Sequence, residues 1–230
     1  MPAATNKPVG IVPKLYCLWA ALAVGLAIAL NGFSSENITR LLVIAFLFLQ
    51  IAFRSVFVRA LPRCEPKVRF IILATVLAAV VEGFHMISMP VFLSLRIGRD
   101  TSFTEGLNRY ALDLLFATPA YLVIFAVIWC FINRYHFTLW HYIAIVGLGQ
   151  ALGDGGLVYF IKAPAMVFFL PYPMTNYQAM NIIPFLAVRD HLKRSRSESV
   201  FSWLVVPGLI GTYFICGTII KLAGRHFGLQ

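Results

Sequence analysis

The sequence predicts an all-α, polytopic integral membrane protein, a helical bundle of about seven transmembrane helices. Two observations from composition support this fold class: 60% of the 230 residues are hydrophobic and only 12% are charged, and the mean hydropathy is +0.82. Soluble domains carry about 25% charged residues, so this chain lacks the surface charge that keeps a domain in solution. The third observation is that the apolar residues gather in runs close to the roughly 20 residues that cross a bilayer.

Seven such runs predict seven spans within a single membrane domain that covers residues 1–230. They lie at about 15–32, 40–60, 69–93, 112–133, 138–161, 165–188 and 202–223. The runs at 138–161 and 165–188 are the weakest, because glycine, proline and polar residues interrupt them. A bundle of six spans therefore remains open. The two longest loops are predicted at 94–111 and 189–201, and the second is charged, serine-rich and expected to be cytoplasmic and mobile.

The basic residues predict the orientation of the bundle. With seven spans, twelve of the nineteen lysines and arginines fall on the side of the N-terminus and seven on the other. The positive-inside rule then places the N-terminus in the cytoplasm. No cleavable signal peptide is expected before the first span. The protein is thus expected to be a multi-pass membrane protein, in the endoplasmic reticulum membrane if its source is eukaryotic.

The net charge of +10 does not indicate nucleic acid as a partner, since the basic residues lie in the loops between spans. The expected partners are membrane lipids and a lipophilic small-molecule substrate, and the oligomeric state stays open. The four cysteines are scattered singly, with no spacing typical of a metal site or a disulfide framework. No metal and no cofactor are therefore predicted.

The glycine-rich stretch "GLGQALGDGG" at 147–156 is superficially similar to a nucleotide-binding loop. Such a loop functions between a strand and a helix, whereas this one lies within a hydrophobic span. Gly149 and Gly153 are four residues apart and predict a small-residue face that lets another helix approach closely. Gly155 and Gly156 are expected to loosen the helix just after Asp154.

The strongest candidate for chemistry is the pair Glu82 and His85 in the third span. A charged group at the bilayer centre costs about 2.5–3.5 kcal/mol even on mild insertion scales, so an acid there suggests a functional site. The two residues are three apart and share a face of an α-helix. An acid in apolar surroundings can keep and deliver a proton, and a neutral imidazole can orient it or accept a proton later. The alternative is a polar pair that only ties helices together.

Asp154 is the second acid within a span and the third predicted catalytic residue. Gln150 lies four residues before it, a spacing that allows a shared hydrogen bond. Asp113 lies near the predicted start of the fourth span, where an interfacial charge is the simpler interpretation. We predict that the substrate is bound by Asp113, Tyr121, Gln150, Tyr159 and Asn181.

Four segments in order resemble the EXPERA or emopamil-binding family of sterol Δ8–Δ7 isomerases, over roughly residues 68–194. They are "VVEGFHM", "NRYALD", "GLGQALGDGGLVYF" and "MNIIPFLAVRDHLK". The resemblance implies that Glu82 is the acid that protonates an alkene and that Asn181 is the polar residue of the last core span. The chain departs from the family at Ala78, where a histidine is expected, and at Pro184, where a tryptophan is expected. Asp113 only loosely replaces the family's second glutamate.

Three classes of function follow. The first is an isomerase or terpene cyclase that protonates an alkene of a sterol or prenylated substrate and quenches the carbocation; the departures favour a cyclase. The second is a proton- or ion-coupled transporter that uses Glu82 and Asp154, although no internal repeat supports it. The third is a non-catalytic lipid-binding protein whose polar residues join the helices.

Overall fold

The structure is a computed structural model that describes residues 11–59, 64–192 and 200–229. Its regular secondary structure within these ranges is helical, with no strand. The α-helices are α1 (Ile11–Asn31), α2 (Ser35–Ala52), α3 (Arg54–Arg59), α4 (Pro66–His85), α5 (Phe103–Arg134), α6 (Leu139–Ala151), α7 (Leu157–Lys162), α8 (Pro171–Val188) and α9 (Val205–His226). Short 3₁₀ turns lie at Leu93–Leu95, Pro164–Phe169, Arg189–His191 and Val200–Leu204.

The predicted polytopic helical bundle is confirmed. Six helical segments of the described chain are long and apolar enough to cross a membrane. They are α1, α2, α4, α5, the segment Leu139–Lys162 that contains α6 and α7, and the segment Val200–His226 that ends in α9. The predicted span at 165–188 contains α8, which is as long as α2 at 18 residues but is not apolar enough to be among the six. The orientation relative to the cytoplasm stays a prediction. Five of the basic residues on which it rests lie outside the described residues: Lys7, Arg63, Lys193, Arg194 and Arg196.

Helix α8 is nevertheless the centre of the bundle. Sixteen of its eighteen residues are buried, and it packs against α1, α2, α4 and α6. The rings of Tyr142 and Phe185 stack 4.0 Å apart near one end of the contact with α6, and Tyr177 bonds to Asp154 near the other. The two helices are therefore antiparallel, so α8 traverses the bundle interior. Its polar residues explain its position, because exposing them to lipid is costly.

Two predicted boundaries are wrong, for local reasons. The third span was expected to reach residue 93, but α4 ends at His85. Pro90 has no N–H to donate and disfavours helical backbone at the residue before it. The loop at 94–111 is shorter than expected, because α5 begins at Phe103. The Ser102 side chain accepts a hydrogen bond from the backbone N–H of Glu105, a helix N-cap that the S-x-x-E pattern favours.

The glycine predictions for the fifth span are confirmed. A Cβ at Gly149 would lie 3.0 Å from Leu209, and a Cβ at Gly153 would lie 3.0 Å from Tyr213, so α9 packs directly on these glycines. Between α6 and α7 the segment Leu152–Gly156 forms a π-helical turn. Asp154 and Gly155 leave helical geometry there, and Gly155 has φ +90°. That value favours glycine, which lacks the Cβ that disfavours positive φ.

The predicted mobile loop at 189–201 falls largely on residues 193–199, which lie outside the described residues. On its two sides the chain forms the 3₁₀ turns Arg189–His191 and Val200–Leu204.

Candidate functional site

Glu82 lies in the last turn of α4 and is only 8% exposed. The hydroxyl of Tyr121 on α5 donates a hydrogen bond to Glu82 Oε1. The Tyr121 ring in turn stacks on Phe125, with ring centroids 5.8 Å apart. The structure thus brings together two residues that the sequence selected separately, an acid and a tyrosine from neighbouring helices.

Asp154 lies at the break between α6 and α7. The Tyr177 hydroxyl of α8 donates a hydrogen bond of 2.6 Å to Asp154 Oδ2. Tyr177 is buried, whereas Asp154 keeps an exposed surface because the backbone around it is opened by the π turn. The second acid therefore repeats the arrangement of the first, with one tyrosine hydroxyl on one carboxylate oxygen, but it lies at an accessible edge.

Tyr213 of α9 joins these two pairs. Its hydroxyl accepts a hydrogen bond of 3.0 Å from Gln150 Nε2, and its ring meets the Tyr177 ring edge-on at 6.2 Å. Tyr213 lies within electrostatic range of both Glu82 and Asp154, and the two acids lie within electrostatic range of each other. We name this group the acid–tyrosine cluster: Glu82, Tyr121, Asp154, Tyr177 and Tyr213.

Sequence reasoning missed Tyr177 and Tyr213. Tyr213 lies in the last span, beyond the segments that carry the family resemblance. The one signal for it was Gly153, whose missing side chain leaves room for a large residue on the facing helix. Tyr177 lies in an apolar run, where a single tyrosine is more often packing than chemistry.

Gln150 and Asn181 lie beside the acid–tyrosine cluster and hydrogen-bond to two of its residues, Tyr213 and Tyr177. The Asn181 amide donates hydrogen bonds to Gln150 Oε1 and, at 2.7 Å, to the Tyr177 carbonyl. Tyr142 donates to Asn181 Oδ1 at 3.4 Å. The predicted bond between Gln150 and Asp154 is absent from these described contacts, since the π turn between the two residues changes the face on which Asp154 projects. The side-chain amides of Gln150 and Asn181 therefore both hydrogen-bond to tyrosine residues.

His85 belongs to a different group. Its side chain hydrogen-bonds with Asn176 and lies within electrostatic range of Arg40. Arg40 of α2 is 5% exposed; it donates to Asn176 Oδ1 and, at 3.4 Å, to Thr175 Oγ1. Its guanidinium lies 4.3 Å above the Tyr172 ring. We name this group the arginine cluster: Arg40, His85, Tyr172, Thr175 and Asn176.

Glu82 and His85 therefore have different partners, in contrast to the predicted acid–base pair. Three residues along an α-helix leave an angular offset of about 60°. Helix α4 packs against both α5 and α8, so this offset directs Glu82 to Tyr121 on α5 and His85 to Asn176 on α8. His85 is not placed to orient Glu82.

Asp113 and Tyr159 also differ from expectation. Asp113 lies ten residues inside α5 rather than at its start, is fully buried, and accepts a 2.7 Å hydrogen bond at Oδ1 from the Val91 N–H. Tyr159 on α7 is 49% exposed, and its ring lies against Phe160. The helix resumes after the break in a direction that turns Tyr159 outward, so it does not line the cluster.

Within residues 11–59, 64–192 and 200–229, no group of three histidine, cysteine, aspartate or glutamate residues is arranged to hold a metal ion. Comparison with known proteins finds no matching family model, no matching curated protein and no matching solved structure.

Proposed function

We propose that the protein is a membrane-embedded isomerase or terpene cyclase that acts on a sterol or prenylated substrate. It protonates an alkene and quenches the resulting carbocation by removing a proton. The observation that carries this proposal is the acid–tyrosine cluster, in which two carboxyl groups lie within electrostatic range of each other and each accepts a hydrogen bond from a tyrosine.

The two acids suit the two proton transfers of such a reaction. Two like charges repel each other, so the pair favours one acid and one carboxylate. Glu82, the more enclosed of the two, donates its proton to the alkene, which leaves a carbocation and a carboxylate. Asp154 then removes a proton from a neighbouring carbon, and the electrons of that C–H bond form the new alkene. No oxidant or reductant is needed.

The tyrosines suit the intermediate. A carbocation has no hydrogen bonds to offer and is stabilised by the negative faces of aromatic rings, by about 0.5–2 kcal/mol each. Tyr121 and Tyr177 each lie against one carboxyl group, and Gln150 holds the hydroxyl of the third ring, Tyr213. The Tyr121 and Tyr177 hydroxyls also hold the carboxyl groups in place through hydrogen bonds, which positions the acid and base before the substrate arrives.

Access to the cluster supports a lipophilic substrate. Asp154 is exposed while Glu82 is buried, so the cluster opens on the side of the break between α6 and α7. Leu157 and Val158, next along the chain, are also exposed. A substrate dissolved in the bilayer would enter beside these apolar side chains. We assign the protein to the endoplasmic reticulum membrane if it is eukaryotic, with the N-terminus in the cytoplasm, on the balance of basic residues.

A proton-coupled transporter is the second candidate. The observation in its favour is α8, whose polar side chains from Tyr172 to Asn181 contact polar partners on α1, α2 and α6 along the bundle interior. Such a series is typical of proton pathways in membrane proteins. The two candidates differ in whether a substrate is changed or only moved.

The test is to incubate purified protein in lipid nanodiscs with farnesyl-derived and sterol alkenes in D₂O. The proposal predicts one deuterium at the protonated carbon of a rearranged product. Glu82→Gln keeps the size and hydrogen bonding of a neutral acid and should lower product formation by about 10²–10⁴. Glu105→Gln is the matched control, since Glu105 is exposed and forms an ion pair with Arg109 on the same helix. Unchanged substrates, with proton uptake into liposomes, would contradict the proposal and favour the transporter.

A further inference from the structure

Tyr213 differs from the other two tyrosines of the acid–tyrosine cluster in the direction of its hydrogen bond. The hydroxyls of Tyr121 and Tyr177 donate to carboxyl oxygens. The hydroxyl of Tyr213 instead accepts a hydrogen bond of 3.0 Å from Gln150 Nε2, and no bond from its own hydrogen is found in the described part of the chain. Because a phenolic hydroxyl both accepts and donates, the hydrogen of Tyr213 stays available for a further partner.

The direction of the bond between Gln150 and Tyr213 follows from a backbone carbonyl. The carbonyl of Tyr177 can only accept, so the Asn181 group that lies 2.7 Å from it is the NH₂ of the amide. The same NH₂ contacts Gln150, which therefore presents its oxygen. The NH₂ of Gln150 is then directed at Tyr213. Turning the Gln150 amide over would bring two donors together, so the hydrogen-bond network fixes Gln150 as the donor and Tyr213 as the acceptor.

Tyr213 lies beside the accessible edge of the cluster. It packs on Gly153, where a Cβ would lie 3.0 Å from Tyr213 Cβ, and the next residue along the chain is the exposed Asp154. Its ring also meets the ring of Tyr177, whose hydroxyl is bonded to Asp154. Gln150 is fully buried, whereas Tyr213 is partly exposed. The Tyr213 oxygen is thus engaged from the bundle interior, and its hydrogen is left for a molecule that enters from the side of Asp154.

We propose that Tyr213 is a specificity-determining residue that donates a hydrogen bond to an oxygen atom of the substrate, and that the substrate is an alkene that is also a lipid alcohol. This inference rests on the proposed function and narrows its substrate class. The Tyr213 ring keeps its role beside the carbocation. Its hydroxyl positions the substrate by holding the oxygen at one place in the cluster.

The charges of the cluster select a neutral oxygen. Glu82 and Asp154 are acids, and the other three members of the cluster are tyrosines, so the cluster contains no basic side chain. A phosphate or carboxylate on the substrate would be repelled by an ionised acid there. A hydroxyl carries no charge, accepts the Tyr213 hydrogen through its oxygen and can donate its own hydrogen to a carboxylate. Sterols and prenyl alcohols therefore fit the cluster better than prenyl diphosphates or fatty acids.

The experiment compares the binding of alcohols and hydrocarbons and needs no turnover. Dissociation constants are measured for purified protein in detergent with cholesterol and with cholestene, which has the same alkene skeleton without the hydroxyl. Farnesol is paired in the same way with its hydrocarbon. Partitioning of a ligand into micelles is the same for wild type and variant, so the ratio of their dissociation constants reports the site.

Tyr213→Phe keeps the ring and removes the hydroxyl. The wild-type protein should bind each alcohol more tightly than its hydrocarbon. The variant should bind the alcohols more weakly by about three- to tenfold, as for the loss of one hydrogen bond, and should bind the hydrocarbons as the wild type does. Tyr135→Phe is the matched control and should leave all four constants unchanged, because Tyr135 follows the last residue of α5, about 20 Å along the helix axis from Tyr121.

Two results would overturn the inference. One is an equal loss of affinity for alcohols and hydrocarbons in Tyr213→Phe, which would assign the hydroxyl to packing or to holding a carboxyl group. The other is a wild-type protein that binds the alcohols no more tightly than the hydrocarbons. Both concern binding alone, so they are distinct from failure of the proposed function, which is an absence of deuterated product.

Discussion

The acid–tyrosine cluster and the arginine cluster lie on the same bundle, and both contact α8, yet they differ in what their polar atoms can do. In the first, each carboxyl group accepts a bond from a tyrosine, and Asp154 stays accessible. In the second, the Arg40 guanidinium is enclosed, donates to two α8 side chains and covers the Tyr172 ring. Glu82 and Arg40 are both buried, so burial alone does not separate the two clusters. We propose that the type of partner separates them: a tyrosine hydroxyl on each carboxyl group in the first cluster, and side chains of α8 around a cation in the second.

The largest effect is expected from Asp154→Asn. Asparagine can still accept the Tyr177 hydrogen bond, so the fold should persist, but it cannot act as the base. Turnover per folded protein should fall by about 10²–10⁴. The measurement is the initial rate of product formation, with Asp190→Asn as the matched control. Wild-type turnover in Asp154→Asn would remove the distinction between the two clusters.

Arg40→Ala should act on stability instead of chemistry. It removes the hydrogen bonds that join α2 to α8 and should cost about 1.5–3 kcal/mol, typical of bonds from a charged donor. Arg189→Ala, at an exposed arginine, should change stability by no more than about 0.5 kcal/mol. Both follow from denaturant unfolding in detergent. A loss of turnover without a loss of stability in Arg40→Ala would instead place the arginine cluster in the active site.

Gly153→Ala tests the packing behind the acid–tyrosine cluster. A Cβ at this position would lie 3.0–3.1 Å from Tyr213 atoms, so the tyrosine must move, and overpacking of this kind costs about 1–3 kcal/mol. Gly217→Ala on α9 is the matched control, because no atom lies within 4 Å of its new Cβ. Equal unfolding midpoints for the two variants would show that α9 does not pack as tightly as described.

The smallest effect is expected from His85→Gln. Glutamine can replace the hydrogen bond to Asn176, and the described partners of His85 are Asn176 and Arg40, which belong to the arginine cluster. Turnover should change by less than about tenfold, a barrier change under about 1.4 kcal/mol. A loss as large as that of Asp154→Asn would restore the acid–base pair that the sequence predicted for Glu82 and His85.

The sequence predicts the helical bundle because a long apolar run in lipid must pair its own backbone groups, which a helix does. It also selects Glu82 and Asp154, since ionisable residues are costly within such runs. It does not predict their partners. The bond from Tyr177 to Asp154 depends on how α8 is rotated and where the π turn opens, and Tyr213 comes from a helix distant in the chain.

The two residue pairs that the sequence predicted wrongly also depend on how the helices pack. Spacing along an ideal helix suggested that His85 supports Glu82 and that Gln150 bonds to Asp154. One pair is separated because α4 contacts two different helices, the other because glycines interrupt the helix. Helix α8 shows the converse: its polar residues weakened the predicted span, but they are the reason for its central position.

Photo-crosslinking tests the central claim most directly, because it locates the ligand without requiring turnover. Farnesyl and sterol probes that carry a diazirine would be irradiated with the protein in nanodiscs, and the labelled residues would be mapped by mass spectrometry. We predict labels at Tyr121, at Asp154 and at Tyr213, which are removed by competition with unlabelled alkene. Labels confined to Arg40 and His85 would contradict the account and place the ligand in the other cluster.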